Sequence, residues 1–507
     1  LGQRRHVAGG GVVGYRPGMP GIVIIGAGFG GIGMGIALKK AGFDDFVILE
    51  KSDDLGGTWH DNQYPGCACD VPSPLYSYSF EPNPSWSRLF APRPEIWEYL
   101  RACARKYRVD EHIRYGRKVE RMDWDGAARR WNIAVSSGGG QAEEYVARAV
   151  VSAAGFLHRP SYPDIAGAER FAGLSFHSAQ WDHSGDLAGK RIAVIGTGAS
   201  AIQFIPQIAR QAGQLEVFQR TPPWVLSRMD IAIPERAQET FKAVPVAGRV
   251  VRDAIYWALE GRALGFAVHP KLMAPLEQMA RRHIEKQIAD PALRAKVTPD
   301  YTIGCKRILL SSDYYPALQR PNVELITEKI SEITEHAVVT ADGTAHEVDV
   351  IIYGTGFDVI ESVTSLHVNG RDGHELTPQT LAAYHGITLA GFPNYFMLLG
   401  PNTGLGHTSV VFMIESQIQH IMSCLRRLAR DHADTIEVSE PAVRHYNAGL
   451  QRRLRRAVWS EGGCRSWYLD ADGINRALWP GFSFEYWART RRARRSAYAV
   501  TPADRAS

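Results

Sequence analysis

The run Gly21-Ile22-Val23-Ile24-Ile25 passes directly into Gly26-Ala27-Gly28-Phe29-Gly30-Gly31 and then into a helix-compatible stretch. A short β-branched run reads as a buried parallel strand. Glycines just beyond it permit a sharp turn, so that backbone N–H groups and the positive end of a helix face an anion. The same grammar returns at Arg191-Ile192-Ala193-Val194-Ile195, followed by Gly196-Thr197-Gly198-Ala199-Ser200-Ala201. One such box is weak evidence, but two in the same strand–turn–helix context predict two βαβ dinucleotide-binding units in an α/β chain.

The boxes begin 170 residues apart, which implies one Rossmann-like domain inserted in another. The first unit returns to a second strand at Phe46–Glu50 and reaches Ala149–Gly155, after which Pro160 and Pro163 mark a crossing. The strand and glycine turn Asp349–Phe357 mark the return. Between about 226 and 300 the glycine turns stop and Ala, Arg, Leu and Glu recur at helical spacing, so this part reads as a helical insertion packed over a substrate cavity. The expected division is a flexible leader at 1–19, with a native start as late as Met19, and a first nucleotide domain at 20–160 and 358–507. A second nucleotide domain at 161–225 and 301–357 surrounds the 226–300 insertion. The C-terminal aromatics, including Trp459, Trp467, Tyr468, Trp479 and Trp487, read mainly as core.

A chain of 507 residues is long enough for two or three cores. Its 58 basic and 53 acidic residues leave a net charge of +5, which implies no uniform nucleic-acid-binding field. The arginine run 489–495 reads as a solvated terminal helix or disordered end without function. Six scattered cysteines do not form a disulfide framework, and Cys67-x-Cys69 is too close for metal-type spacing. No apolar run approaches the ~18 residues that span a bilayer, nor does the N-terminus carry a signal-peptide core, so the chain reads as cytoplasmic.

The residues at the end of each unit's second strand separate the two nucleotides. Glu50, 24 residues beyond Gly26, is placed to accept hydrogen bonds from ribose hydroxyls and would repel a 2'-phosphate, which assigns the first box to FAD. After the second box the corresponding strand ends in Arg220-Thr221, a cation and a hydroxyl suited to a 2'-phosphate and hence to NADPH.

Two longer patterns then carry a family resemblance. The segment Phe171-x-Gly173-x-x-x-His177-x-x-x-Trp181-Asp182 resembles the FxGxxxHxxxW fingerprint of Baeyer-Villiger monooxygenases, a branch of the class B flavoprotein monooxygenases. Gly57-Thr58-Trp59, Tyr64-Pro65-Gly66 and Asp70 resemble the same family's GxWxxxxYPGxxxD element. The likeness covers about residues 20 to 405 and departs from the pattern at three places. Asp182 stands where proline is usual, Gly354 replaces an alanine, and the second box ends in Ala201 rather than glycine.

The resemblance implies that NADPH reduces FAD, that O2 adds at the flavin C4a carbon, and that the resulting peroxide anion attacks a ketone to give an ester or lactone. It makes Arg307, in Gly304-Cys305-Lys306-Arg307, the cation that stabilises that anion, with Asp70 beside it; a unit charge at about 4 Å is worth roughly 4 kcal/mol at an effective dielectric near 20. It sends Lys306 to the 2'-phosphate with Arg220 and Thr221. Cofactor contacts extend to Phe29, Lys51, Tyr76 and Ser200, and His177 and Trp181 become coupling residues in an interdomain linker. Gly391–Asn394 and Gly400–Asn402 resemble a return segment with backbone near the flavin ring. The competing readings are an N- or S-oxygenating flavin monooxygenase and a flavin-binding protein without turnover. A pyridine-nucleotide disulfide reductase needs a reactive dithiol that Cys67-x-Cys69 does not supply. The aromatic C-terminus suggests a bulky cyclic, aromatic or polyketide-like ketone.

Overall fold

The computed structural model describes residues 21–503 except 139, 141, 465, 467 and 471, and omits the side chain of residue 268. The expected leader, with Met19, and Trp467 lie outside the described residues. Strand Ile22–Ile25 sits at the centre of five parallel strands, between Ala149–Ser152 and Phe46–Leu49, with Tyr395–Met397 and Ile113–Arg114 at the edges. Its unbroken apolar run has a direct cause. Ile22 and Ile24 face one core and Val23 and Ile25 another, so both faces of the sheet are covered.

The second sheet is also five-stranded and parallel, in the order Val323–Ile326, Gln214–Phe218, Arg191–Ile195, Val350–Tyr353 and Leu174–His177. Leu174–His177 is therefore an edge strand. This corrects the reading of His177 as part of a free linker: an edge strand can look like a connector because only one side of it is hydrogen-bonded.

The chain passes between the two sheets twice, and the two crossings lie side by side. Ser161 N–H donates to the Gly356 carbonyl at 2.9 Å, Asp358 N–H donates to the Arg159 carbonyl at 3.0 Å, and Pro160 and Phe357 pair antiparallel. A four-stranded mixed wing flanks the first sheet: Arg117–Asp125, Arg130–Ser137 and Ala142–Ala147 are antiparallel, and His367–Asn369 adds parallel to Arg117–Asp125 at the edge. Helix Val410–Arg430 packs on the glycine-loop helix Phe29–Lys40, where a Cβ on Gly33 would stand 3.0 Å from Ile418 and Tyr78.

The insertion is helical at Glu235–Ala243, Pro245–Glu260, Ala274–Gln287 and Pro291–Val297. Its later part is packed into the protein, with Phe266, Met273, Ala280 and Ile284 buried. The first of these helices buries nothing, and the second buries only Arg252 and Glu260.

The arginine run is solvated and begins in the last turn of helix Ser483–Thr490, but it is not a disordered end. It leads into strand Tyr498–Pro502, which pairs antiparallel with Ala433–Val438. The Tyr498 hydroxyl is buried against His420 Nε2 at 2.7 Å and Thr388 Oγ1 at 2.9 Å. The sheet partner lies about sixty residues upstream, so no local pattern announces it. No described helix is long and apolar enough to cross a membrane.

Candidate functional site

At the first loop Gly26 adopts φ +95°, and a Cβ on Gly31 would come within 1.9 Å of the Gly26 carbonyl oxygen, so neither position admits another residue without rearrangement. Gly28 opens helix Phe29–Lys40 with its backbone against Gly57, whose φ of +53° and ψ of −123° are again glycine's. A Cβ on Gly57 would lie 3.2 Å from the Gly28 Cα. Side chains are thus kept out of a backbone cradle at a helix N-terminus, which fits a pyrophosphate. Glu50 closes the cradle: Ala27 N–H donates to one carboxylate oxygen at 2.7 Å and Ser52 N–H to the other at 2.9 Å. Lys51 and Thr58 are exposed at the rim. Trp59 is buried, its indole N–H donating to the Tyr76 hydroxyl at 3.1 Å, and Phe29 meets Tyr76 edge-on at 5.2 Å.

The second loop repeats the turn, with Gly196 at φ +108° against the Gly354 carbonyl. Gly198 and Ser200 lead into helix Ala201–Ile208. Here the two departures from the family pattern explain each other. A Cβ on Gly354 would stand 3.0 Å from the Ala201 Cβ, so the methyl group gained on the helix is answered by one lost on the strand. In the first loop the strand residue is Ala153, and the glycine it faces is Gly30, one position before the counterpart of Ala201; a Cβ there would lie 3.2 Å from the Ala153 Cβ.

Arg220 is exposed at the end of its strand, beside the half-buried Thr221. Lys306 Nζ lies 5.1 Å from the centre of the Tyr301 ring. Burial lowers the Lys306 pKa, the nearby charge of Arg220 lowers it further, and Asp300 opposes both. Two cations that repel one another across an open rim make a fitting cradle for a dianion.

Arg307 and Asp70, 237 residues apart in the chain, form a bidentate pair. Arg307 Nε donates to Oδ2 at 2.8 Å, and Nη2 donates to Oδ1 at 2.7 Å and Oδ2 at 2.6 Å. Nη1 makes no hydrogen bond among the described residues and is left for another acceptor. The Asp70 charge raises the Arg307 pKa, against the opposing effect of burial. The pair keeps a solvent-facing edge, with side-chain exposures of 42% and 26%, while the surrounding protein desolvates its inner side.

Beside it stands Tyr468, buried as the reading of the C-terminal aromatics as core expects, but packed next to the Arg307 charge, which that reading did not foresee. Burial pushes its pKa up to about 12 while the Arg307 charge pulls the other way. Nothing periodic in Ser466–Gly473 signals this placement. The hairpin carrying Tyr468 docks on the return segment: Asn402 N–H donates to the Arg476 carbonyl at 2.8 Å and Gly404 N–H to the Ala477 carbonyl at 2.9 Å. Tyr468, Leu399, Pro401 and Ile360 line an apolar cleft there.

Cys305, two residues before Arg307, is bonded to Cys464, with Cα atoms 6.1 Å apart. A single bond is not a framework, but it is a pairing the sequence reading did not foresee, since partners 159 residues apart leave no spacing signature. Cys67, Cys69, Cys103 and Cys424 are free and buried. Burial pushes the Cys67 thiol up to about 11 and Cys69 higher still, which makes both poor nucleophiles.

Tyr64 spans the two nucleotide units, its hydroxyl donating to Gln203 Oε1 at 3.0 Å, while Gln203 Nε2 donates to the Ala68 carbonyl at 3.0 Å. Gln203, two residues beyond the second glycine box, is a further contact that sequence reasoning missed, since its partner Tyr64 lies 139 residues away in the chain. Trp181 packs on Phe176 at 5.1 Å and on Phe204 at 5.4 Å, and Tyr64 also meets Phe204, at 6.0 Å. Gly173 is required where a Cβ would strike the Asp349 carbonyl at 2.4 Å and the Phe171 ring at 2.7 Å.

His177 is fully buried, and burial lowers its pKa to about 4. Its Nδ1 accepts from Ala179 N–H at 3.1 Å, so the proton sits on Nε2. That nitrogen turns toward the Gly356 carbonyl of the return crossing without closing a full hydrogen bond. Gly391–Asn394 need correction. They precede strand Tyr395–Met397 and lie at the opposite edge of the first sheet from the glycine loop, where Asn394 bonds Arg148 and Asp434. Only Gly400–Asn402, beyond the same strand, reach the loop side.

A family profile described as Pyridine nucleotide-disulphide oxidoreductase matches residues 23–251. A Baeyer-Villiger monooxygenase of Pseudomonas aeruginosa is 49% identical over 484 residues, covering 95% of this chain and 91% of that one. Another from Streptomyces coelicolor is 46% identical over 483 residues, covering 94% and 92%. The solved structure of OTEMO in complex with FAD and NADP (form 3) superposes with a TM-score of 0.85 at 26% identity, covering 96% of this chain and all of the other.

Proposed function

Since the chain belongs to the Baeyer-Villiger branch of the class B flavoprotein monooxygenases, we propose that Arg307, oriented by Asp70, is the cation on which its oxygen insertion depends. The enzyme uses FAD and NADPH to insert one atom of O2 next to a ketone carbonyl, giving an ester or lactone. When bound, FAD and NADPH supply hydride transfer and the activation of O2; the chain's residues supply position and charge.

We assign residues 20–160 and 358–507 to the FAD domain, 161–225 and 301–357 to the NADPH domain, and 226–300 to the insertion. Glu50 receives the adenosine ribose of FAD, and the backbone of Gly26–Gly31 with Gly57 receives its pyrophosphate. Arg220, Thr221 and Lys306 grip the 2'-phosphate of NADPH. Asp70 fixes the guanidinium plane by holding Nε and Nη2, which leaves Nη1 to donate to an anionic oxygen. A guanidinium keeps its proton throughout such a cycle. The Asp70 carboxylate in turn favours positive charge developing on a nicotinamide nearby. The apolar wall beside Tyr468 supports a ketone with a bulky hydrocarbon body. Dependence on NADPH supports a cytoplasmic site of action.

The bidentate Asp70–Arg307 pair carries this reading. Arg307→Ala should still bind FAD and be reduced by NADPH, yet release hydrogen peroxide in place of ester. A loss of about 3 kcal/mol of charge stabilisation lowers ester formation more than a hundredfold. Full ester yield from Arg307→Ala, measured by mass spectrometry beside a peroxide assay, would falsify the assignment.

A further inference from the structure

Helix Pro245–Glu260 turns Val246, Val250 and Trp257 outward on a single stripe, roughly 16 Å long at 1.5 Å per residue. Trp257 is 61% exposed although five other tryptophans are fully buried, so the core had no difficulty taking such residues. The stripe continues onto a second element. The Trp257 ring lies 5.9 Å from Phe484 on helix Ser483–Thr490, and Trp487, one turn on, is exposed with it. An apolar patch built from two separate segments marks an interaction site.

Charge selects the partner. Arg489 in the last turn of the second helix is followed by Arg491, Arg492, Arg494 and Arg495, with no acidic residue between Glu485 and Asp504. The Arg491 guanidinium lies 4.9 Å from the centre of the Trp487 ring. Exposed Arg249 adds a cation on the first helix, while Asp253 flanks the stripe and Glu485 is neutralised by Arg453 and Arg489. The excess is positive. A second copy of the chain meeting this face about a twofold axis would oppose arginines to arginines. An anionic bilayer satisfies both halves of the patch, since its interfacial zone takes tryptophan and valine and its phosphates take arginine.

We propose that this face docks the enzyme peripherally, without spanning, on anionic phospholipid bilayers. Flotation of the FAD-loaded full chain with vesicles tests it, using phosphatidylcholine alone or with one quarter phosphatidylglycerol. Binding should require phosphatidylglycerol and fall about tenfold or more at high salt. The double variant Trp257→Glu/Trp487→Glu should lose binding while keeping flavin content and turnover of a water-soluble ketone. Arg491→Glu/Arg492→Glu gives an independent arm should the tryptophan variant fold poorly. The proposal is overturned if the wild-type chain fails to float with phosphatidylglycerol vesicles at low salt, or if well-folded variants float equally. Dimerisation lost in the tryptophan variant, with no vesicle binding by the wild type, would assign the face to a second copy.

Discussion

Lys306 and Arg307 are consecutive, yet one sits over Tyr301 within reach of Arg220 and the other is clamped by Asp70. The bend that parts them follows Gly304, whose φ of +93° turns the chain just ahead of the pair. The two cations therefore allow separate tests. Arg220→Ala or Lys306→Ala should raise the half-saturating NADPH concentration about tenfold or more, the value of one charge-assisted hydrogen bond, and leave NADH use nearly unchanged. Steady-state kinetics with both reductants reads this directly; equal losses with NADPH and NADH would remove the 2'-phosphate role. Much at this scale was legible in the sequence. Glu50 stands at a set distance from the first box, Asp70 closes a long spaced pattern and Arg307 follows from the resemblance, whereas Tyr468 and Gln203 act through partners that only folding supplies.

At the scale of elements, the strands were readable because runs such as Ile22–Ile25 and Arg191–Ile195 are buried on both faces and need no alternation. What could not be read is how one element excuses another. Ala201 and Gly354 look like two unrelated departures until helix and strand meet with 3.0 Å between one methyl group and the place of the other. Gly354→Ala should therefore cost about 1–3 kcal/mol through overpacking, and Ala201→Gly made with it should recover much of that loss. Urea unfolding of the two single variants and the double variant gives the coupling; purely additive effects would mean that the two sites do not share space. The disulfide and the C-terminal strand escaped for a similar reason, since each joins segments remote in sequence.

The whole molecule carries an acid liability. Burial holds His177 and His420 near pKa 4, against 6.5 for a free imidazole. Unfolding lets both take up protons, so the stability they permit is complete above about pH 6.5 and is lost as pH falls toward 4. Each contributes up to about 3 kcal/mol across that window. Melting temperature should fall steeply between pH 6.5 and 4, and a flat profile there would contradict the burial of these rings.

The paired crossings have a mechanical meaning of their own. A single connecting strand is a tether that lets one body wander about the other. Two strands bonded edge to edge through Ser161, Gly356, Arg159 and Asp358 behave as a pair of hinge pins. Such a pair would admit a swing and resist sliding and twist, so a relative movement of the two sheets is expected to reduce to a change in one angle.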